Sequence, residues 1–384
     1  QILLGIGIGL CLPNNQYHLD TELFLALVIG PLLFREAQEA DITSILKHWR
    51  IVLYLIFPVI FISALSMGGV AHVLWASLPL AACVAVGAAL GPTDLVAFAS
   101  LSQRFSFPKR VSNILKGEGL LNDASGLVAF RMALIAWTTG TFSLTQAGTS
   151  LAISIVGGFA VGFITALINR FLHTFLLSVR ATDIASELLL ELSLPLLTFF
   201  ISEEIHVSGI IAVVVAGILK ASRFKKINLL EAQVDTVTET VWQTVTFMLN
   251  GSVFVILGME LEMIAEPILK SAFYNKVLLL LSVFLLTFLL FAIRFVMIYG
   301  FYAFRIKKLH KSLDKYVKDM LLLTFSGVKG TVSIATILLI PSNLEQEYPL
   351  LLFLVAGVTL VSFLTGLLVL PHLSEEKDPS KDQL

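Results

Sequence analysis

Apolar residues in this chain arrive in long blocks separated by short polar connections. A helix needs about 20 predominantly apolar residues to cross a hydrocarbon core. By that measure the pattern predicts about twelve spans, at 1–12, 21–34, 50–67, 72–102, 111–136, 147–172, 184–202, 206–221, 241–258, 275–304, 317–340 and 348–370. Several approach 30 residues and are expected to tilt or break. The first is short for a span. The chain begins at Gln1 rather than Met, so a further N-terminal piece is expected, and no cleavable signal peptide is recognisable. The pattern predicts an all-α polytopic membrane protein, with one membrane domain over 1–370 and a polar tail over 371–384.

Composition agrees with the pattern. The hydrophobic set makes up 57% of the 384 residues and charged residues only 14%, and mean hydropathy is +0.90. Those values exclude an ordinary soluble domain and a disordered chain. With a net charge of −1 the chain has no general attraction for nucleic acid. Cys11 and Cys83 lie in apolar runs and read as packing thiols, not as a disulfide framework or a metal site.

Lysine and arginine in membrane proteins stay on the cytoplasmic side. Counted over alternate connections, they divide into 21 on one side and only Lys270 and Lys276 on the other. The connections with His18, Asp20, Glu203, Glu204, Glu345 and Glu347 are therefore expected outside, and the C-terminus in the cytoplasm. The basic stretch 305–318 reads either as an amphipathic helix on the inner leaflet or as a solvated linker.

Seven charges do not belong to connections: Arg131, Arg294, Lys329, Asp94, Glu118, Asp123 and Glu191 fall inside spans. A charge at the centre of a membrane helix costs about 2.5–3.5 kcal/mol even on the lenient insertion scale. These groups must pair, titrate or line a wet cavity. Arg131 and Glu191 read as a structural ion pair or an interfacial side chain. Asp94, Glu118 and Asp123 read differently, because three acids fall on two successive spans.

Asp94 ends the run Gly91-Pro92-Thr93-Asp94. Proline cannot donate a backbone hydrogen bond and clashes with the preceding turn, so a mid-span Gly-Pro predicts an interrupted helix. Such breaks are tolerated where the backbone faces protein or water, and their carbonyls can coordinate cations. Next comes Gly117-Glu118-Gly119-Leu120-Leu121-Asn122-Asp123, which places Glu118 and Asn122 at i,i+4 on one expected helix face. Carboxylates and an amide around one cavity suit a hard alkali cation, and equally a proton. Late in the chain, Phe325-Ser326-Gly327-Val328-Lys329-Gly330 is a second glycine-interrupted span with a central charge. One interrupted span in each half, about 1–136 and 184–370, points to an inverted-repeat transporter. Other drives find no support: the seven His lie in loops or at span ends, and no Walker loop or His/Cys cluster occurs. Gly5-Ile6-Gly7-Ile8-Gly9, Gly158 and Gly162 read as helix-packing glycines.

The stretch from Gly91 to Arg131 resembles the signature of the monovalent cation:proton antiporters of the NhaP/sodium–proton exchanger family, in its bacterial branch. The resemblance rests on Gly-Pro-Thr-Asp, Gly-Glu-Gly-Leu-Leu-Asn-Asp and Phe130-Arg131, and weaker matches run through nearly the whole chain. These include Gly30-Pro31 through Ala37, Ser208-Gly209 through Gly217, Phe247 through Gly258, and Gly327-Val328-Lys329-Gly330.

The resemblance implies an inverted-repeat fold with two broken crossing helices, a core domain, a dimerisation domain and a homodimer in the cell membrane. It implies exchange of Na⁺, Li⁺ or K⁺ for H⁺ with no cofactor. Asp123 would take a proton or a cation in turn, with Asp94 and the backbone at Thr93 completing the cation site. Asn122 would replace the first acid of the Asp-Asp pair of electrogenic relatives. Glu118 would pair with Arg294 and hold the core. Two positions depart from many members: Gly119 stands where Ser is common, removing a hydroxyl ligand, and Lys329 stands where Arg is common. The alternative reading is a cation channel or a transporter of another substrate class. A channel needs a continuous lined pore, and no repeated filter element is visible. An intramembrane aspartyl protease is a more distant alternative, because the Gly-x-Gly-Asp and Tyr-Asp contexts are missing.

Overall fold

The structure, a computed structural model, describes residues 2–11, 21–94, 105–140, 144–179, 184–221, 229–270, 275–309, 316–340 and 348–376. Helices dominate it. In chain order they are α1 (Ile2–Cys11), α2 (Thr21–Phe24), α3 (Gly30–Glu39), α4 (Ile42–Lys47), α5 (Trp49–Tyr54), α6 (Ile60–Leu74), α7 (Leu80–Ala89), α8 (Lys109–Gly119) and α9 (Asn122–Thr139). The second half adds α10 (Leu144–Ser178), α11 (Ile184–Glu204), α12 (Gly209–Ala221), α13 (Leu229–Lys270), α14 (Lys276–Leu309), α15 (Val317–Phe325), α16 (Thr331–Ile337) and α17 (Tyr348–Leu373). Among the described residues, extended pairing is limited to two residues a side, Phe105–Ser106 against Glu375–Glu376.

Prolines mark the irregular turns. Wide π-helical turns at Leu25–Ile29 and Leu55–Val59 lie before Pro31 and around Pro58, where the missing N–H breaks the regular ladder. Among the described residues, five stretches are long and apolar enough to cross a membrane: Trp49–Leu74, Gly148–Leu176, Ile184–Glu204, Lys276–Arg305 and Tyr348–Leu373.

Other expected spans are interrupted. The 72–102 segment contains the end of α6, a turn near Trp75–Pro79 and the short α7; residues 95–104 lie outside the described residues. The 111–136 segment is two helices, α8 and α9, divided at Leu120–Leu121. This corrects the expectation that Glu118 and Asn122 share a face of one helix. Glycines at 117 and 119 weaken the end of α8, and Leu121 leaves helical geometry at φ −126°, ψ −12°. The 317–340 segment is α15 and α16, with non-helical backbone between them.

The chain divides into two compact units, each drawn from both expected halves. The first comprises Asn15–Ile42 and Ser143–Val255; the second comprises Ile2–Asn14, Thr43–Phe142 and Ile256–Leu384. In the first unit α3, α10 and α11 pack around α12. Gly158 lies against the Ser208 carbonyl and Ile211, and Gly162 against the Ala212 carbonyl, so α10 and α12 approach to backbone contact. Polar groups join α10 to α11: Thr198 Oγ1 donates to Thr165 Oγ1 at 3.0 Å, and His173 Nε2 lies 2.7 Å from Glu187 Oε1. In the second unit α6 and α7 pack closely, with Gly68 against the Val84 backbone and Gly87 against that of Ala64. Helices α9, α16 and α17 also pack on α7. That arrangement places α9, which carries Asp123, and α16, which follows Lys329, beside α7.

Candidate functional site

Helix α7 stops at Ala89; the Gly91 amide makes a last bond to the Ala88 carbonyl at 3.1 Å, and Pro92–Asp94 is non-helical. In the other half of the chain α15 stops at Phe325 and α16 begins at Thr331. The two non-helical stretches meet: the Asp94 amide donates to the Val328 carbonyl at 3.0 Å. The Lys329 ammonium returns across the same junction, donating to the Gly91 and Pro92 carbonyls at 2.8 and 2.6 Å. Carbonyls at a helix C-terminus lack intrahelical donors and carry partial negative charge, so a lysine there meets both needs. The Lys329 amide is held by Ser362 Oγ of α17 at 3.1 Å. A Cβ on Gly126 of α9 would fall on the Pro92 ring, so that glycine lets the break seat against α9.

A polar chain leads away from the junction. Asn122, the first residue of α9, donates from Nδ2 to the Thr93 carbonyl at 2.8 Å and to Thr93 Oγ1 at 2.7 Å. Thr93 Oγ1 in turn donates to Glu118 Oε1 at 3.2 Å. Arg294 of α14 grips Glu118 with both terminal nitrogens, at 2.6 and 2.8 Å, and its Nε donates to the Leu323 carbonyl at 2.9 Å. Glu118 is 1% exposed and Arg294 4%. A bidentate pair whose Nε is also hydrogen-bonded is the arrangement that makes a charge tolerable at such depth. Gly119 is the buried last residue of α8.

Asp123 follows Asn122 in the first turn of α9 and is buried, as is Asp94. The two carboxylates and the Lys329 ammonium interact electrostatically. Asn122 Oδ1, Asp123 Oδ1 and Ser326 Oγ are buried oxygens without a hydrogen-bond partner among the described residues. A buried oxygen in that condition costs about 1–3 kcal/mol unless something supplies a proton or a positive charge. The site therefore offers oxygen acceptors and anionic charge, the donor set of a hard monovalent cation or a proton.

The structure thus brings Thr93, Asp94, Glu118, Asn122, Asp123, Arg294 and Lys329 into the second unit around one junction. Two other in-span charges stand apart. Arg131 is exposed on α9. Glu191 of α11 belongs to the first unit, where Lys220 Nζ lies 2.9 Å from its Oε2 and Gln38 Nε2 donates to its Oε1 at 2.6 Å. Sequence reasoning did not single out Gly126, Ser326 or Ser362. Ser326 stood beside the Gly327 interruption and was legible there. Ser362 lies in an apolar run with no neighbouring signal.

A family model described as "Sodium/hydrogen exchanger, transmembrane" matches residues 1–374. The chain belongs to that family. Among its sodium/hydrogen exchanger relatives, a "Sodium, potassium, lithium and rubidium/H(+) antiporter" of Bacillus pumilus (strain SAFR-032) is 34% identical over 385 residues. That match covers 98% of this chain and 57% of the relative, so the chain spans little more than half the length of that protein. The "Na(+)/H(+) antiporter NhaH" of Halobacillus aidingensis is 28% identical over 380 residues, covering 96% of this chain and 89% of the relative. The fold is similar to that of the sodium proton antiporter MjNhaP1 from Methanocaldococcus jannaschii. The TM-score is 0.64 at 17% identity, covering 97% of this chain and 92% of that one.

Proposed function

We propose that this chain exchanges Na⁺, or Li⁺ or K⁺, for H⁺ across the cell membrane by alternating access. The observation that carries the reading is the Asp123 carboxylate, buried with one oxygen unpartnered, in electrostatic contact with Asp94, whose backbone joins the two interruptions. Asp123 takes a proton in one half of the cycle and a cation in the other. Asp94 and the Thr93 backbone complete the cation's oxygen ligands, and Asn122 keeps Thr93 in place. Glu118 and Arg294 hold the junction to α14 without carrying ions. Competition for Asp123 couples the two fluxes without a second site.

On this reading the two interrupted helices are the crossing helices of an inverted repeat. The second compact unit is the core domain that carries the ion, and the first is the scaffold of a homodimer with its C-terminus in the cytoplasm. No bound cofactor is required, because a tenfold ion gradient supplies about 1.4 kcal/mol. The relatives named as antiporters and the family assignment support the exchange.

The test is proton flux in proteoliposomes containing a lumenal pH dye, with NaCl, LiCl or KCl added in turn, for wild type and Asp123→Asn. Cation-triggered proton movement in wild type that vanishes in the variant is the expected result. Cation conductance without proton movement would instead favour a channel.

A further inference from the structure

Gly330 sits at the end of the second interruption with φ −141° and ψ −158°. That is extended backbone open to any residue, so conformation does not require glycine here. Space does. A Cβ built on Gly330 would fall on the Asp94 carboxylate, touching Oδ2 and Cγ, and would lie 2.9 Å from the Asp94 Cβ. The Oδ2 side of the acid therefore occupies the volume of a missing side chain.

Neither backbone can readily withdraw. The Asp94 amide is bonded to the Val328 carbonyl. Residue 329, next to Gly330, is fixed by Ser362 Oγ at its amide and by the Gly91 and Pro92 carbonyls at its ammonium. The Gly330 carbonyl accepts the Ser333 amide at 3.2 Å at the start of α16. A methyl group at position 330 would thus move the Asp94 side chain before it moved the main chain.

We propose that Gly330 is a positioning residue for cation loading: its missing side chain is the seat that keeps the Asp94 carboxylate in the ion site. The inference rests on the exchange reading and deepens it. It separates two functions at one junction. Asp123 receives either ion, whereas Asp94, through its seat on Gly330, serves the cation. Displacing Asp94 removes an oxygen ligand from the cation-loaded state, whereas the proton-loaded state loses only the charge interaction between Asp94 and Asp123. A loss of that kind raises the cation concentration needed for half-maximal flux and spares the maximal rate.

The experiment is a double-mutant cycle with Gly330→Ala, Asp94→Ala and the double variant, assayed by cation-titrated proton flux in proteoliposomes. Gly300→Ala serves as control, because a Cβ there meets nothing within 4 Å. Gly330→Ala is expected to raise the apparent KM for Na⁺ about tenfold or more, with the rate at saturating cation largely kept. In the Asp94→Ala background the same substitution should add nothing, because the carboxylate it displaces is gone. Thermal unfolding in detergent gives a readout independent of transport: Asp94→Ala should restore the stability that Gly330→Ala removes. Accumulation of the double variant where Gly330→Ala alone fails to accumulate would have the same meaning. Additive effects on KM, an unchanged KM in Gly330→Ala, or no rescue of stability would overturn the proposal. A transporting wild type with any of those results leaves the exchange reading standing; a wild type without cation-driven flux removes that reading, and this proposal with it.

Discussion

The Asp94 amide and the Val328 carbonyl, from opposite halves of the chain, form a hydrogen bond of 3.0 Å between two stretches that have left helical geometry. Each helix gives up internal bonds, and each supplies the other with part of what it lost. Lys329 extends the exchange by donating to two carbonyls of the partner interruption. The junction is therefore a structural unit as well as a place for an ion.

Removing the Lys329 ammonium should expose that dependence. Lys329→Met keeps much of the volume but leaves the Gly91 and Pro92 carbonyls without these donors. Hydrogen bonds to charged groups contribute about 1.5–3 kcal/mol each, so the expected loss is about 3 kcal/mol or more. Thermal unfolding of the detergent-solubilised protein should show a fall of several degrees. Lys329→Arg should lose less, because it retains a cation with several donors.

Glu118 and Arg294 form the second support. Glu118→Ala leaves a guanidinium buried without its carboxylate, which costs about 3–5 kcal/mol in comparable pairs. Glu118→Leu combined with Arg294→Met replaces both charges with apolar volume, and should be less destabilising than Glu118→Ala. The check is a double-mutant cycle of Glu118→Leu and Arg294→Met on unfolding temperature; strict additivity would mean that the two groups do not stabilise each other.

The sequence made the membrane class legible because block length and the lysine and arginine bias are local, one-dimensional signals. It also exposed Asp94, Asn122, Asp123 and Lys329, since a charge or an amide in an apolar run has few bland explanations. Their partners were less visible. Val328 and Leu323 contribute through carbonyl oxygens, which every residue has. Ser362 and Gly126 act by lying opposite a break elsewhere in the chain. The division at Leu120–Leu121 was missed because apolar periodicity continued across it, while the glycines of α8 and the geometry of Leu121 ended the helix. That division is what lets Glu118 and Asn122 approach Thr93 from separate helices.

Glu191 and Lys220 predict a contrasting result. Their carboxylate and ammonium lie 2.9 Å apart with side chains 10% and 11% exposed, and Asn169 Oδ1 accepts from the same ammonium at 2.9 Å. Glu191→Leu should destabilise the protein by about 3–5 kcal/mol, as for other broken buried pairs. Glu191→Gln should cost less, because it still accepts from Lys220. All of these residues belong to the first unit and all the candidate ion-site residues to the second. The apparent KM for Na⁺ of folded Glu191→Gln protein should therefore equal that of wild type. An altered KM alongside an unchanged unfolding temperature would contradict this separation.

The last prediction concerns voltage. Asn122 is neutral throughout the cycle, and its amide is already used on Thr93. On the proposed reading Asp123 alone exchanges one proton for one monovalent cation, so no net charge should cross the membrane per turnover. A cycle that moved one net charge would respond to the membrane potential with about 2.3 kcal/mol per 100 mV. Converted at 1.4 kcal/mol per decade, that is a shift of about fifty-fold in the equilibrium cation gradient. Proteoliposomes clamped with a thiocyanate diffusion potential, with Na⁺ as the only alkali cation, should show the same equilibrium gradient at zero and at about 100 mV. A shift approaching fifty-fold would mean that a second group, Asp94 first among them, also gives up a proton during exchange.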